Sequence, residues 1–158
     1  GIFGKPRKLV TDATKRLCSA INEGEPKSTV KYILMNTVGN RNRDLPEKIS
    51  FSEKCIIWLL RLLVPPHIDN EEAADFLRTK IGQNDNTIKW VVVRPSSLID
   101  EEDVSEYKTH SSPTRSAIFN DGKVSRVNVA AFMNKLITDQ NIWEKWKGQM
   151  PVIYNKEK

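Results

Sequence analysis

Two short apolar runs in this chain each end in residues that can do hydrogen-bond chemistry. Val30 to Met35 (VKYILM) is followed by Asn36, Thr37 and Val38. Ile88 to Val93 (IKWVVV) is followed by Arg94, Pro95, Ser96, Ser97 and Leu98. The amide and the hydroxyls both donate and accept. The same residue types also finish strands and build turns, and from spacing alone turn chemistry explains them. Arg94 carries two readings of equal weight. It contacts a ligand, or it is a buried structural arginine, and in either case a buried guanidinium needs a partner. Cys18, Cys55, His67 and His110 show no ligand spacing, so no metal site is expected. No G-x-S-x-G elbow signals a hydrolase. His67 follows Pro65-Pro66 and reads as a surface-loop histidine, with a pocket-lining role as the alternative.

The composition is that of a soluble globular chain. It has 158 residues, 39% hydrophobic and 28% charged, which suits one domain with a real core. The longest apolar run, Cys55 to Val64, is interrupted by Arg61 and is too short to span a bilayer. No apolar stretch follows Gly1 to Lys5, so no signal peptide is expected. The missing initiator Met fits a beginning that is absent or processed. Two distant cysteines point to a reducing, cytoplasmic setting. The charge of +5 is uneven. Residues 1–43 hold nine Lys/Arg and three Asp/Glu, against 16 and 17 in the remainder. A solvated helix face explains this better than nucleic-acid binding, since no zinc-finger or RNP-type motif accompanies it.

The elements that must position these residues follow from periodicity. Residues 7–21 predict an amphipathic helix with Leu9, Ala13 and Leu17 on its apolar stripe, ended by Gly24 and Pro26. The run at 30–35 predicts a strand buried on both faces. Ser50 and Glu53 have capping-box spacing and open a helix to about Val64, which Pro65-Pro66 breaks. Asp69 and Glu72 offer the cap of the next helix, and Gly82 closes it. The second strand, 88–93, stops at Arg94-Pro95. Residues 106–110 and 115–119 predict short strands, a helix opens near Ser125, and 152–154 form a last strand. Trp143 and Trp146 are expected to pack on the core. Strands alternating with helices predict an α/β fold with a parallel sheet.

Three stretches carry a family resemblance. Tyr32-Ile33-Leu34-Met35-Asn36-Thr37-Val38-Gly39 resembles the fifth strand of NmrA-like and flavin/biliverdin-reductase-like atypical short-chain dehydrogenases, with its Ser-Ser-x-Gly-type turn. Lys89 to Leu98 (KWVVVRPSSL) resembles their sixth strand and its Arg-Pro-Gly-Gly-Leu-type loop. Ser125 to Phe132 (SRVNVAAF) resembles the later Ser-Arg-x-Asp-Val-Ala-x-Phe helix start. The match covers nearly the whole chain. It implies the C-terminal portion of a Rossmann-type, doubly wound parallel sheet with flanking helices, with strands one to four preceding residue 1. No G-x-G-x-x-G occurs and the seven glycines are scattered. The loop that presents backbone N–H groups to a pyrophosphate would therefore lie in the missing half, which would also leave one edge of the 30–35 strand unpaired.

The resemblance implies NADP or NAD as cofactor and a small-molecule substrate or a regulatory protein as partner. Ligands in this fold sit outside the carboxyl ends of the strands. Asn36, Thr37, Val38, Arg94, Pro95, Ser96, Ser97 and Leu98 become cofactor-binding candidates, the polar ones for a carboxamide or ribose, Pro95 and Leu98 for the nicotinamide ring. Thr37 falls where many relatives place a catalytic Ser, and its hydroxyl suits a developing charge on a substrate carbonyl. The classical Tyr-x-x-x-Lys is absent, since none of Tyr32, Tyr107 and Tyr154 has a lysine four residues on in the helix after that strand. Some reductases of this group carry a site histidine near the position of Asn70, where this chain has none. Two functions follow: an NAD(P)-dependent reductase, or a non-catalytic NAD(P)-sensing protein of the NmrA type.

Overall fold

A computed structural model describes residues 4–156. Gly1 to Phe3, part of the stretch read above as lacking a leader, lie outside the described residues. Helix α1 (Leu9–Glu23) leads to strand β1 (Val30–Met35). Helices α2 (Phe51–Leu63) and α3 (Pro65–Phe76) follow, α3 continuing through a π-helical turn, Leu77–Ile81. Strand β2 (Ile88–Pro95) comes next, then β3 (Ser97–Ile99), β4 (Tyr107–His110) and β5 (Lys123–Ser125). Helices α4 (Arg126–Thr138) and α5 (Gln140–Trp146) and strand β6 (Val152–Asn155) complete the chain.

The main sheet has the order β1-β2-β6-β4. β1 and β2 are parallel, with Val30 opposite Ile88 and Met35 opposite Val93. β6 runs parallel to β2, and β4 antiparallel to β6. Side chains alternate across a strand, so β2 serves two apolar layers. Ile88, Trp90 and Val92 pack with Cys18, Ala74, Leu77 and Met150 on the face covered by α1 and α3. Val91 and Val93 pack with Phe132, Leu136, Trp143, Trp146 and Ile153 on the face covered by α4 and α5. Helices on both faces are what a parallel sheet requires, and the doubly wound α/β reading of the sequence holds. β1 is half-buried rather than buried on both faces, because it forms one edge of the sheet.

Several local expectations are corrected. The buried face of α1 is Thr11, Thr14 and Cys18, while Leu9 and Leu17 are exposed. The reason is Asp69, whose carboxylate accepts from the N–H groups of Val10 and Thr11 at 2.8 Å each, while Thr11 Oγ1 donates to the Asp69 carbonyl. Asp69 thus caps α1, not its own helix, satisfying N–H groups that have no partner inside a helix. Pro65-Pro66 does not merely break α2. It starts α3, since proline's fixed φ and missing N–H suit the first helical turn. β2 runs two residues past Val93. The Arg94 N–H donates to the Pro151 carbonyl at 2.8 Å, and Pro95 has no N–H to offer the β1 side, where its carbonyl accepts from Val38 N–H at 2.9 Å. Residues 115–119 form a turn in which Ser116 Oγ accepts from the N–H groups of Ile118 and Phe119. The strand of this region is 123–125, paired in parallel with 97–99.

Other signals read directly. Ser50 and Glu53 form the expected capping box, Ser125 caps α4, and Gly82 closes its helix at φ 68°. Lys31, the charged residue of β1, donates to the carbonyls of Leu136 and Ile137 at the end of α4 and lies 4.8 Å from the Trp143 ring centroid. A cation at a helix C-terminus is favoured by the helix dipole.

Candidate functional site

Because β1 and β2 are parallel neighbours, their carboxyl ends lie side by side. Pairing continues past the last strand residue of β1, where Asn36 N–H donates to Val93 and Val38 N–H to Pro95. A cleft of about 380 Å³ opens at these tips. Asn36, Thr37, Val38 and Gly39 line it from β1, Pro95, Ser96, Ser97 and Leu98 from β2 and β3. Leu60 of α2, His67 of α3 and the 117–121 turn close it. A crevice at the strand ends is where open α/β sheets hold ligands.

Each tip residue is held by local bonds. Asn36 Oδ1 accepts from Thr37 N–H at 2.9 Å and from Asn40 Nδ2, and Asn36 Nδ2 donates to the Asn70 carbonyl at 2.9 Å. Its amide is thereby committed to shaping the turn. Thr37 Oγ1 accepts weakly from Gly39 N–H at 3.4 Å, which leaves the hydroxyl proton to donate. Val38 is buried against Val152 and Tyr154. Ser96 is 5% exposed and its Oγ has no hydrogen-bond partner. Ser97 Oγ is bonded to Asp121, and Leu98 stays partly exposed on the cleft wall.

Seven of the eight candidate residues therefore line one cleft, and Arg94 does not. Its side chain is fully buried. It donates to Glu47 Oε1 at 2.7 Å and to the carbonyls of Met150, Asn40 and Ser111 at 2.7, 2.9 and 3.2 Å. Arg94 is thus engaged within the protein, as in the structural one of its two readings, tying the loop after β1 to the sheet, and its side chain is not among those lining the cleft.

His67 is the residue that spacing misplaced. It sits on α3, not on a surface loop, with its side chain 10% exposed. Its Nε2 is buried without a hydrogen-bond partner, 3.7 Å from Glu71 Oε1. Burial pushes the imidazole below its ordinary value. Glu71 opposes that shift and Arg61 adds to it. The signal available was Pro65-Pro66, which suits a helix start and would have put His67 in a first turn facing the strand tips. Gly39, Leu60, Ala117, Ile118 and Asp121 also line the cleft, and the 117–121 residues were hidden by the expectation of a strand there. A wider cleft of about 1070 Å³ adjoins through Asp121, lined among others by Phe119, Lys123, Tyr154 and Arg115. Among the described residues no group of His, Cys, Asp and Glu forms a metal cluster, and no helix is long and apolar enough to cross a membrane.

Residues 4–140 match the NAD(P)H-binding family. No curated protein matches the chain. Among solved structures, the oxidoreductase ylbE of Lactococcus lactis superposes with a TM-score of 0.62 at 16% identity, covering 99% of this chain and 59% of that one. A short-chain dehydrogenase/reductase of Veillonella parvula in complex with NADP gives 0.59 at 15%, covering 92% and 58%. ChuY, an anaerobilin reductase of Escherichia coli O157:H7, gives 0.60 at 18%, covering 98% and 61%. The chain thus spans less than two thirds of each of these proteins, and the likeness is one of Rossmann-like fold. With its parallel sheet, its cleft at the strand tips and a match over residues 4–140, the chain belongs to the NAD(P)H-binding family, whose cofactor is NADP or NAD.

Proposed function

We propose that this chain is the C-terminal part of the Rossmann-like domain of an NAD(P)H-dependent reductase of the atypical short-chain type, and that the cleft at the β1 and β2 tips takes the nicotinamide end of the cofactor. The observation that carries this reading is Ser96 Oγ, a buried hydroxyl in the cleft wall with no partner in the protein. A buried polar group left unsatisfied costs about 1–3 kcal/mol, and a ligand that bonds it removes that cost. The lining fits an amide-bearing flat ring. Thr37 and Ser96 supply hydroxyls, and Pro95, Leu98, Leu60 and Ile118 supply apolar wall. Ser97 and Asn36, already bonded within the protein, hold the shape of the rim. The described residues contain no glycine-rich turn of the kind that holds a pyrophosphate.

When bound, the reduced dinucleotide supplies the hydride. The chain's own residues bind, orient and stabilise. Thr37 donates its hydroxyl to the acceptor oxygen or nitrogen on which charge develops. The wider cleft beyond Asp121 is the space assigned to the acceptor.

The test is full-length protein mixed with NADPH and a panel of flavins and quinones. Oxidation of NADPH is expected, and Thr37→Ala should lower turnover by roughly 10²–10³-fold with a much smaller effect on cofactor affinity. Equal turnover in the two proteins removes Thr37 from the mechanism. The second reading, a non-catalytic NAD(P) sensor, rests on the departure from Tyr-x-x-x-Lys, and none of the tyrosines lines the tip cleft. Clear NADPH binding without oxidation of any acceptor would favour it.

A further inference from the structure

A reduction by hydride leaves one requirement unmet. The acceptor heteroatom must also gain a proton, and the classical phenol and lysine are absent. We propose that His67 is the proton-transfer residue of this cleft, oriented by a Glu71–Arg61 pair behind it. The proposal rests on the reductase reading above and names the group that reading lacks.

The geometry is specific. His67 and Glu71 are one helical turn apart on α3, so their side chains share a face. The His67 ring lines the cleft beside Thr37, and its Cε1 would lie 3.8 Å from a side chain placed on Gly39. Its Nε2 points inward, buried, with Glu71 Oε1 at 3.7 Å as its nearest anionic neighbour. Glu71 cannot swing away freely, because Arg61 of α2 holds it through two bonds of 2.8 Å, from Nε and from Nη2. Arg43, from the loop after β1, stands 3.9 Å from the same carboxylate. Asp121 faces from the far wall but is engaged by Ser97. The charged groups that act on the ring are Glu71 and Arg61, with Arg43 against the Glu71 carboxylate and Asp121 elsewhere in the cleft lining. A carboxylate beside Nε2 favours the tautomer protonated there and gives the ring's other nitrogen, Nδ1, to a cleft ligand.

The step balances as follows. The acceptor takes up a hydride, two electrons and one proton from the reduced dinucleotide, at one end of its conjugated C=O or C=N system (a carbon, or the ring nitrogen of a flavin), and the displaced π pair moves onto the heteroatom at the other end. The Nδ1–H bond of the His67 imidazolium breaks, and an O–H or N–H bond forms on the acceptor. Neutral His67 keeps its Nε2 proton toward Glu71 and is reprotonated from solvent. Burial weakens the imidazolium, which makes it the stronger acid toward a bound acceptor and moves its working range to the acid side. The sign is fixed by this role. Turnover should fall as pH rises through the lowered His67 value, because the donor form is lost.

The experiment compares full-length wild type, His67→Gln, His67→Ala and Glu71→Gln, reading NADPH affinity by fluorescence, turnover with the acceptor panel against pH, and the ring nitrogens by ¹⁵N NMR. Expected are an NADPH affinity that changes far less than turnover and about 10²-fold lower kcat in His67→Gln. The acid-side pH dependence should vanish in that variant, and added imidazole should partly rescue His67→Ala. Glu71→Gln should change the tautomer seen by NMR, a readout that merely structural packing would not move. NADPH oxidation by His67→Gln at the wild-type rate and pH profile overturns this proposal and leaves the reductase reading standing. NADPH binding with no oxidation of any acceptor overturns the proton-transfer role, and no NADPH binding at all overturns both.

Discussion

Removing Glu47 should unfold much of what holds the cleft in place, and its magnitude follows from burial. Arg94 is fully buried and Glu47 nearly so, with side-chain exposures of 0% and 2%. Three of the guanidinium's bonds go to backbone carbonyls and one, at 2.7 Å, to Glu47. Glu47→Ala leaves a charge in the interior without its counter-charge, which typically costs about 3–5 kcal/mol. It also frees Asn42 N–H, which donates to the other Glu47 oxygen. Trp90, Trp143 and Trp146 are almost fully buried, so their emission reports unfolding in urea. With a urea slope of about 2 kcal/mol per molar, the midpoint should fall by roughly 1.5–2.5 M. A double replacement, Glu47→Leu with Arg94→Met, removes both charges and should recover most of the loss, since an apolar pair of similar volume avoids desolvating ions. A midpoint within about 0.3 M of wild type for Glu47→Ala would refute the argument that this ion pair anchors the loop after β1.

Four further outcomes follow from the same kind of reasoning. Asp69→Ala strips α1 of its N-terminal partner and should cost about 1–2 kcal/mol, read as a lower midpoint; an unchanged midpoint would show that water caps the helix equally well. Burial raises the Cys18 thiol to about 11, whereas Cys55 is exposed. A thiol reagent at pH 8 should therefore label one cysteine in the native protein and two after denaturation. The sign for stability is the same: between the free thiol's 9.0 and about 11 the unfolded chain has lost the proton that the native chain keeps, so stability should fall as pH rises through that window. Gly148 has φ 70°, and a methyl group there would meet Gln83, whose Nε2 bonds the Gly148 carbonyl at 2.7 Å. Gly148→Ala should cost about 1–3 kcal/mol by urea titration.

The strands were legible because their residues are nearly all apolar or β-branched, and the tip residues followed from where those runs stop. What stayed hidden depended on partners far away in sequence. No local pattern could say that α1 buries Thr11 and Thr14 rather than Leu9 and Leu17, because the choice is made by Asp69, 58 residues further on. Arg94 posed the same difficulty: its two readings differ only in whether a carboxylate waits at position 47, which spacing cannot reveal. His67 was obscured by a local rule applied in the wrong direction, with Pro65-Pro66 read as an end when it was a beginning. The turn at 115–119 reads as a strand in sequence because two of its bonds are accepted by one hydroxyl, that of Ser116, and hydroxyl bonding leaves little trace in hydropathy.

The alternation along β2 has a consequence for how the molecule comes apart. Ile88, Trp90 and Val92 belong to one apolar layer and Val91 and Val93 to the other, on a single strand that also hydrogen-bonds to both β1 and β6. Loss of either layer would disturb the strand it shares with the other, so the two layers are expected to open together. Hydrogen exchange should accordingly find the amides of Val91, Val92 and Val93 among the slowest in the chain, opening only when both layers are lost together.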